Sequence, residues 1–324
     1  MNKNRFISSV LAVLSFGLAG LVSAQSFPDR PITLVVPNPP GGLVDTSARL
    51  LSEPLTRVIG QTVVVDNKPG ASGNIAYQYV ANAKPDGYTL LISYSGYHVG
   101  NPALFDKLAW DPIKDFSPVA LLTVSTNVIA VHPSVPVNNL KEFIAYAKAN
   151  PGKLNYASQG NGSVSHIGTE IFKQTTGVEM VHVPYKGSGP AIQDVLAGQV
   201  QVFISTPPSL MQHVQSGKLK GLAVTGKNRH PGMPNVPTTA EAGLPSFQLE
   251  SWVALYAPAG TPAPVITKLT NSVKKSLALP EVKERSDAAG VELRYLNPVQ
   301  TDALVKKEIP LWSKAIKAAN ITLD

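Results

Sequence analysis

Short runs of β-branched and aliphatic residues alternate along this chain with longer segments in which apolar residues recur every three or four positions. The short runs predict strands and the longer segments predict amphipathic helices. The predicted strands are 32–36, 63–66, 89–93, 154–157, 180–183, 200–205, 221–225 and 252–257, and the predicted helices are 46–58, 75–83, 140–150, 164–176, 191–197, 264–278, 280–289 and 301–319. Because strands and helices alternate, we expect an α/β fold with mainly parallel sheets flanked by helices. One β-rich run, 119–131, is longer than most strands and could cross between two lobes.

The first strand-to-helix junction contains Pro40, Gly41 and Gly42 and leads into Asp45. Glycine has no Cβ, so this turn lets another molecule approach the backbone closely. The helix that follows directs its unpaired N–H groups and the positive end of its dipole toward the turn, which is the geometry of an anion site. The alternative is an ordinary loop in which Asp45 caps the helix.

Similar glycine-rich loops with hydroxyl groups recur at later strand-to-helix junctions, at 69–74 in the first half of the chain and at 158–163 and 184–190 in the second half. In an open α/β sheet, loops at the carboxyl ends of neighbouring strands converge on one crevice. Neither of the first two junctions contains Gly-Lys-Ser/Thr or an ordered G-x-G-x-x-G. A carboxylate is therefore a better candidate for the anion than a nucleotide phosphate.

The N-terminus has the three parts of a secretory signal peptide. Lys3 and Arg5 open the chain, an almost wholly apolar run covers 7–22, and small residues precede Gln25. The alternative is a retained membrane anchor, but the apolar run is short and serines interrupt it. We expect residues 1–24 to be removed on export.

Composition excludes several classes of protein. The chain has no cysteine, which excludes disulfides, thiolate metal sites and cysteine nucleophiles. The net charge of +7 is spread thinly, without the basic stripe and interleaved aromatics of a nucleic-acid partner. The six histidines are isolated, and neither H-E-x-x-H nor G-x-S-x-G is present. We expect no metal, no cofactor and no enzyme activity, with a hydrolase as the weak alternative.

Several motifs, taken in order, resemble one family. They include Pro40-Gly41-Gly42, Lys84-Pro85-Asp86-Gly87-Tyr88, Val183-Pro184-Tyr185-Lys186-Gly187 and Ala257-Pro258-Ala259-Gly260-Thr261-Pro262. These motifs look like those of the periplasmic solute-binding proteins of tripartite tricarboxylate transporters, the Bug family. The resemblance implies a monomeric two-lobed clamshell, similar to type II periplasmic binding proteins, that passes a small carboxylate to a cognate membrane permease. A periplasmic sensor that presents its ligand to a receptor uses the same fold and remains an alternative.

The resemblance also implies how the chain is divided. The expected parts are a signal peptide at 1–24, lobe one at 25–125 and 252–324, and lobe two at 126–251. The C-terminal helices would then pack on lobe one.

The resemblance further implies a set of ligand-binding residues. From lobe one they are Pro40, Gly41, Gly42, Val44, Asp45, Ala71 and Ser72, and from lobe two they are Ser158, Asn161, Gly162, Ser163, Tyr185 and Lys186; the residue types themselves, and not the resemblance, add Tyr97, Ser205 and Thr206. The backbone of the Pro40–Asp45 turn, with Ala71 and Ser72, would hold one carboxylate. The Asp45 side chain would be structural, because a bare carboxylate would repel an anion. Lys186 is either a counter-ion or a solvated turn residue.

One departure from the family pattern bears on the ligand. Many relatives carry an acidic residue where this chain has Ser205 and Thr206. A hydroxyl pair cannot balance a desolvated ammonium, so an amine-free dicarboxylate is favoured. Tyr94 and Tyr97 would be core and surface residues respectively, or would stack on a flat ring. The second reading favours an aromatic, phthalate-type acid over citrate or an amino acid.

Overall fold

The computed structural model describes residues 27–318 and 320–321. The signal-peptide prediction and the end of the last predicted helix at 319 lie outside these residues. The strands are β1 (Ile32–Val36), β2 (Val63–Asn67), β3 (Thr89–Tyr94), β4 (Phe116–Thr126), β5 (Val128–Val131), β6 (Asn155–Ser158), β7 (Val181–Pro184), β8 (Val202–Ser205), β9 (Lys220–Val224), β10 (Glu250–Pro258) and β11 (Glu292–Leu296). The helices are α1 (Leu43–Ile59), α2 (Asn74–Ala81), α3 (Ser95–Leu104), α4 (Leu140–Ala149), α5 (Val164–Thr176), α6 (Ser188–Leu196), α7 (Pro207–Gln215), α8 (Ala263–Leu277), α9 (Pro280–Ala289) and α10 (Pro298–Ala318).

The strands form two sheets. The first has the order β11-β4-β10-β3-β1-β2, and the second has the order β7-β6-β8-β5-β9. β1 lies inside the first sheet with helices on both faces, which is why four of its five residues are buried. The two-sheet α/β arrangement agrees with the two-lobed fold expected from the sequence.

The expectation of mainly parallel sheets is wrong in detail, because both sheets are mixed. Each contains three parallel strands, β2-β1-β3 in the first sheet and β7-β6-β8 in the second. The remaining strands join antiparallel. They pair with strands far away in the sequence, and local hydrophobic periodicity carries no information on the direction of such pairing.

The chain crosses between the sheets twice, and the crossings are tied together. β4 in the first sheet and β5 in the second are separated only by Asn127, and the chain returns after β9 to enter β10. The Asn127 N–H donates to Oγ1 of Thr225 at 2.8 Å, and the Thr225 N–H donates to the Asn127 carbonyl at 2.9 Å. The Thr225 hydroxyl in turn donates to the Leu249 carbonyl at 2.5 Å. The long run at 119–131 does pass between the two sheets, as its length suggested.

Three elements were not expected from the sequence. The helix α3 contains Gly96, Gly100 and Pro102, residues with poor helix propensity, so the pattern predicted only a strand end there. The helix α7 begins with two prolines, which are tolerated in a first turn but resemble a loop signal. The edge strand β11 is short and only partly buried.

The C-terminal segment belongs to the first sheet and its helices. β10 and β11 pair with β4, α8 packs on α1 and β4, and α10 packs on α3. The Leu121 N–H donates to Oγ1 of Thr301, the hydroxyl of a residue in α10, at 3.0 Å. The first sheet therefore combines strands from residues 32–126 with strands from residues 250–296. No helix among residues 27–318 is long and apolar enough to cross a membrane.

Candidate functional site

Six helices begin directly after the parallel strands, three in each lobe. The chain continues from β1, β2 and β3 into α1, α2 and α3. It continues in the same way from β6, β7 and β8 into α5, α6 and α7. Because the strands of each trio are parallel, the N-termini of these helices lie at one edge of each sheet. Unpaired N–H groups and the positive ends of the helix dipoles therefore face the space between the lobes. This arrangement favours an anionic ligand without requiring a cluster of basic side chains.

A cavity of about 540 Å³ lies between these helix ends. Its walls come from both lobes and consist largely of proline rings and glycine-rich backbone. Its lining residues are Pro37, Asn38, Pro39, Pro69, Gly70, Ala71, Ser72, Gly73, Tyr97, Gln159, Gly160, Asn161, Pro184, Tyr185, Lys186 and Gly187. Among these described residues Lys186 is the one charged side chain, and none is acidic. The volume lies within the range of small-molecule sites.

Asp45 braces the first-lobe turn but does not cap its helix, contrary to one reading of the sequence. Gly42 occupies the N-cap position. One oxygen of Asp45 accepts hydrogen bonds from the Gly41 N–H at 3.1 Å and from Nε of Arg49 at 2.9 Å, and the other accepts from Nδ2 of Asn67 at 3.0 Å. Burial alone would raise the pKa of Asp45, but these hydrogen bonds outweigh it and hold the pKa below its ordinary value. The carboxylate is thus neutralised within its own lobe.

The hydrogen bonds to Asp45 also determine which backbone N–H groups remain free for a ligand. The Gly41 N–H already donates to Asp45, so a ligand would have to compete for that group, and the binding role of Gly41 stays a prediction. The first N–H of α1 to bond back into the turn is that of Thr46, to the Gly42 carbonyl at 2.9 Å. The amides between them, which include those of Val44 and Asp45, have no backbone acceptor in the described part of the chain. The Val44 side chain itself is buried in the core.

The second first-lobe loop has an unusual backbone. The four residues Gly70, Ala71, Ser72 and Gly73 all have positive φ, although two of them carry a Cβ. Left-handed conformations at non-glycine residues cost about 1–2 kcal/mol each, so the surrounding structure must impose them. The result places the Ser72 hydroxyl toward the other lobe, where it donates to the Asn161 carbonyl at 2.7 Å.

The second-lobe loop at 158–163 uses its own hydroxyl groups internally. The Ser163 hydroxyl donates to the Gly160 carbonyl at 2.6 Å and accepts from the His166 N–H at 3.3 Å, as the N-cap of α5. Ser158 accepts from the Gly160 N–H at 3.2 Å, and the Gly162 N–H donates to Nδ1 of His166 at 3.2 Å. Ser158, Gly162 and Ser163 therefore shape the loop, and the structure does not present their polar groups to the cavity.

Asn38 was missed by the sequence reasoning. It is only 6% exposed, its Nδ2 donates to the Tyr97 hydroxyl at 3.2 Å, and its Oδ1 has no partner in the described structure. Burial raises the pKa of Tyr97 to about 12, so the phenol keeps its proton at neutral pH. Asn38 and Tyr97 thus offer one acceptor and one donor at the cavity wall. The only available signal was the position of Asn38 directly after β1, within the proline-rich turn.

Tyr94 and Tyr97 are both core residues, so the expectation of a surface Tyr97 is wrong. They are 2% and 3% exposed, and their rings meet edge to face with centroids 5.2 Å apart. An added Cβ on Gly73 would lie 2.4 Å from the Tyr97 ring, so Tyr97 is covered on that side as well. These contacts leave little ring surface for stacking on a ligand.

The positions Ser205 and Thr206 are buried at the end of β8. The Ser205 hydroxyl accepts from Nε2 of Gln159 at 3.0 Å, while Oγ1 of Thr206 has no partner among the described residues. Gln159 lines the cavity and Ser205 does not, so Ser205 serves to hold the Gln159 side chain in place. Tyr185 contributes its ring to the wall while its hydroxyl donates to Asp194 at 2.7 Å.

The structure brings six of the sixteen predicted residues into the cavity wall: Ala71, Ser72, Tyr97, Asn161, Tyr185 and Lys186. The other ten are Pro40, Gly41, Gly42, Val44, Asp45, Ser158, Gly162, Ser163, Ser205 and Thr206. They surround the cavity in the flanking turns and strand ends without lining it. Binding roles for all sixteen stay predictions.

The two lobes touch around this cavity. A Cβ added to Gly42 would lie 2.9 Å from Oγ of Ser188, and one added to Gly187 would lie 2.9 Å from Cγ of Pro39. With the Ser72–Asn161 hydrogen bond, these contacts describe a closed cleft. Within the described residues, no group of three or more histidine, aspartate or glutamate side chains could hold a metal ion.

Comparison with protein families matches residues 47–321 to the tripartite tricarboxylate transporter family receptor. The chain belongs to this family. It is similar to BugT of Bordetella pertussis (strain Tohama I), with 35% identity over 325 residues and 100% coverage of each chain. These matches confirm the Bug-family resemblance seen in the sequence motifs.

Solved structures extend the comparison to proteins with ligands. One is Rpa4515 of R. palustris with adipate, at 38% identity and a TM-score of 0.88, covering 92% of this chain and 100% of that chain. Another is MatC of Rhodopseudomonas palustris with bound malate, at 37% identity and a TM-score of 0.84, covering 90% and 100%. The chain is thus a receptor of a transporter family, similar to periplasmic binding proteins, and not an enzyme. Both the fold class and the absence of enzyme activity predicted from the sequence are confirmed.

Proposed function

We propose that this receptor captures an amine-free dicarboxylate between its lobes and delivers it to a tripartite tricarboxylate permease. The observation that carries the proposal is the composition of the cavity wall. Helix N-termini and Lys186 offer positive potential, and no acidic side chain lines the described wall. A dicarboxylate would place one carboxylate at the α1 turn and the 70–73 loop, and the other end toward Asn161 and Gln159.

The absence of an acidic lining residue argues against an amino-acid ligand. A buried ammonium needs a carboxylate or several acceptors to offset its desolvation. The positions where relatives carry an acid hold Ser205 and Thr206, and Ser205 is already bonded to Gln159. The nearest acid in the first-lobe turn, Asp45, is neutralised by Arg49.

The preference for an aromatic acid loses its support. It depended on stacking by Tyr94 and Tyr97, but the two rings are buried against each other and the Tyr97 ring also lies against Gly73. The dicarboxylates bound by the structural relatives, adipate and malate, are open-chain acids. We therefore propose a flexible aliphatic dicarboxylate ahead of a phthalate-type acid.

The cellular setting follows from the same proposal. We propose that the signal peptide 1–24 is cleaved and that the mature protein works in the periplasm as a monomer. The proposed lobes are 25–125 with 252–324 and 126–251. A hinge near Asn127 and Thr225, where the connections are bonded to each other, would let them open and close.

A thermal-shift screen tests the ligand class. A ligand at 100 times its Kd stabilises the folded state by about 2.7 kcal/mol, which raises the Tm of a domain this size by about 5 °C. We expect such shifts with malate, succinate or adipate and none with aspartate or glutamate. Tight binding of the amino acids with no response to any dicarboxylate would refute the proposed ligand class while leaving the family assignment intact.

A further inference from the structure

A stack of three aromatic rings supports the 158–163 loop from inside the second lobe. The ring of Tyr156 lies on that of His182 with centroids 4.8 Å apart, and His182 lies on His166 with centroids 4.0 Å apart and planes 5° from parallel. Both imidazoles bond directly to the loop. None of the three residues in this stack was predicted from the sequence to contact the ligand.

The hydrogen bond at His166 requires a neutral imidazole, and the one at His182 is compatible with a neutral imidazole. The Gly162 N–H donates to Nδ1 of His166 at 3.2 Å, so the His166 proton lies on Nε2. Ser158 accepts from the Gly160 N–H at 3.2 Å and shares a hydrogen bond of 2.7 Å with Nε2 of His182, in which either atom can donate. With Ser158 as the donor, the His182 proton lies on Nδ1.

Burial of the two rings also favours their neutral forms. Burial lowers the pKa of His166 to about 4, with a further contribution from Lys173. Burial also lowers the pKa of His182 to about 3, aided by His166 and Lys173 and opposed by Glu170. Glu170 is occupied, since it accepts from the Tyr156 hydroxyl at 2.5 Å and pairs with Lys173 at 2.8 Å.

We propose that His166 and His182 are positioning residues that hold the Gly160–Gly162 backbone against the first lobe, and that acid releases the ligand by protonating them. This proposal rests on the proposed function, because the same backbone lines the cavity and accepts from Ser72 at Asn161.

Protonation would act at two defined atoms. A proton taken from solvent by Nδ1 of His166 turns this acceptor into a donor that faces the Gly162 N–H, so their hydrogen bond is lost. A proton on Nε2 of His182 turns this atom into a donor, so the Ser158 hydroxyl must rotate its own proton away and accept instead. Two imidazolium rings 4.0 Å apart would also repel each other. The loop would leave its closed position, and the cavity would open.

The first experiment needs no ligand. Long-range proton–nitrogen NMR correlations on the mature protein, recorded from pH 7 to pH 2.5 with circular dichroism to confirm folding, report the tautomer and titration of each ring. His166→Asn and His182→Gln assign the signals. We expect Nε2–H on His166 and Nδ1–H on His182, with the amides of Gly160 and Gly162 shifting at the same midpoints as the rings. Other tautomers, or glycine amides that do not follow the rings, overturn the proposal whatever the protein binds.

The second experiment uses malate as the probe, with calorimetry at pH 7 and pH 3.5 and circular dichroism to confirm folding. His166→Ala should weaken binding about tenfold at pH 7, and His166→Asn, which restores an acceptor that does not titrate, should recover most of it. Because malate also takes up protons in acid, the double variant His166→Asn/His182→Gln serves as the reference. The unmodified protein should lose about fivefold more affinity than this variant between the two pH values. Equal losses would overturn the acid-release proposal, and failure of malate to bind the unmodified protein would count against the ligand assignment instead.

Discussion

Gly96 offers a direct test of lobe closure. It lies in the first turn of α3 in the first lobe, and a Cβ added to it would lie 2.9 Å from the backbone nitrogen of Val164 and 3.0 Å from its Cγ2. Val164 begins α5 in the second lobe. Gly96 is helical and has no positive φ, so alanine is compatible with its backbone conformation and improves helix propensity by up to about 1 kcal/mol. The substitution Gly96→Ala therefore adds a methyl group that destabilises the closed state.

The size of the effect follows from these distances. Ordinary contacts begin near 3.4 Å, so the lobes must separate by about 0.5 Å at this point. That displacement would stretch the nearby Ser72–Asn161 hydrogen bond, now 2.7 Å, beyond its favourable length. Overpacking of this kind costs about 1–3 kcal/mol, and the cost falls on the closed state only, so ligand affinity should fall about 5- to 150-fold.

Calorimetry with the dicarboxylate found in the screen measures this loss. Thermal unfolding without ligand should show Gly96→Ala to be at least nearly as stable as the unmodified protein, since only Tyr94 at 3.1 Å crowds the new methyl group within its own lobe. Gly189→Ala in α6 is the matched control, because its Cβ would meet nothing within 4 Å. The reasoning fails if Gly96→Ala binds as tightly as Gly189→Ala, because the contact at Val164 would then be absent from the bound state.

Three further outcomes can be checked separately. The pKa of buried His98 is lowered to about 3, so the unfolded chain takes up a proton below about pH 6.5 while the folded chain does not, and stability is lost as pH falls from 6.5 toward 3. At pH 4.5 this amounts to about 3 kcal/mol, and denaturant titrations should show that His98→Phe removes that share of the difference in stability from pH 7.5; an unchanged difference would contradict it. Thr206→Asp should weaken dicarboxylate binding at least 100-fold by like-charge repulsion, whereas the neutral Thr206→Asn should cost far less, and equal calorimetric losses would rule out a charge effect. Mass spectrometry of the exported protein should find an N-terminus at Gln25, and an intact Met1 in a membrane fraction would contradict cleavage.

The local sequence pattern was sufficient to predict most elements and the junctions that form the cleft. The boundaries of α5 and α9 match the predicted 164–176 and 280–289, because clear caps and turn residues bound them. The helix α3 was missed because it contains a proline and two glycines, Gly96 and Gly100, that lie close to Val164 and Ile167 of the second lobe. Strand direction at β10 depended on pairing with β3 and β4, which are more than a hundred residues earlier.

The candidate site could be located from the sequence, but the atoms left free for a ligand could not. Loop residues such as Ser163 and Asp45 have polar groups that suit an anion site or a structural bond equally well. The structure shows that the Ser163 hydroxyl donates to the Gly160 carbonyl and that Arg49 and Asn67 donate to the Asp45 carboxylate. This competition between nearby partners depends on three-dimensional distances, and residue type alone does not decide it.

Backbone groups and side chains contribute differently to the cleft, and this difference suggests how one fold binds different carboxylates. The positive potential comes from backbone amides at helix N-termini, which persist through most side-chain substitutions. Side chains at the wall are then free to select the rest of the ligand. In this chain Asn38 offers an unpartnered acceptor beside the Tyr97 hydroxyl, and Gln159 is held in place by Ser205. Selectivity within the family should therefore depend on a few such wall positions, while general affinity for carboxylates depends on the backbone geometry that places the helix ends opposite each other.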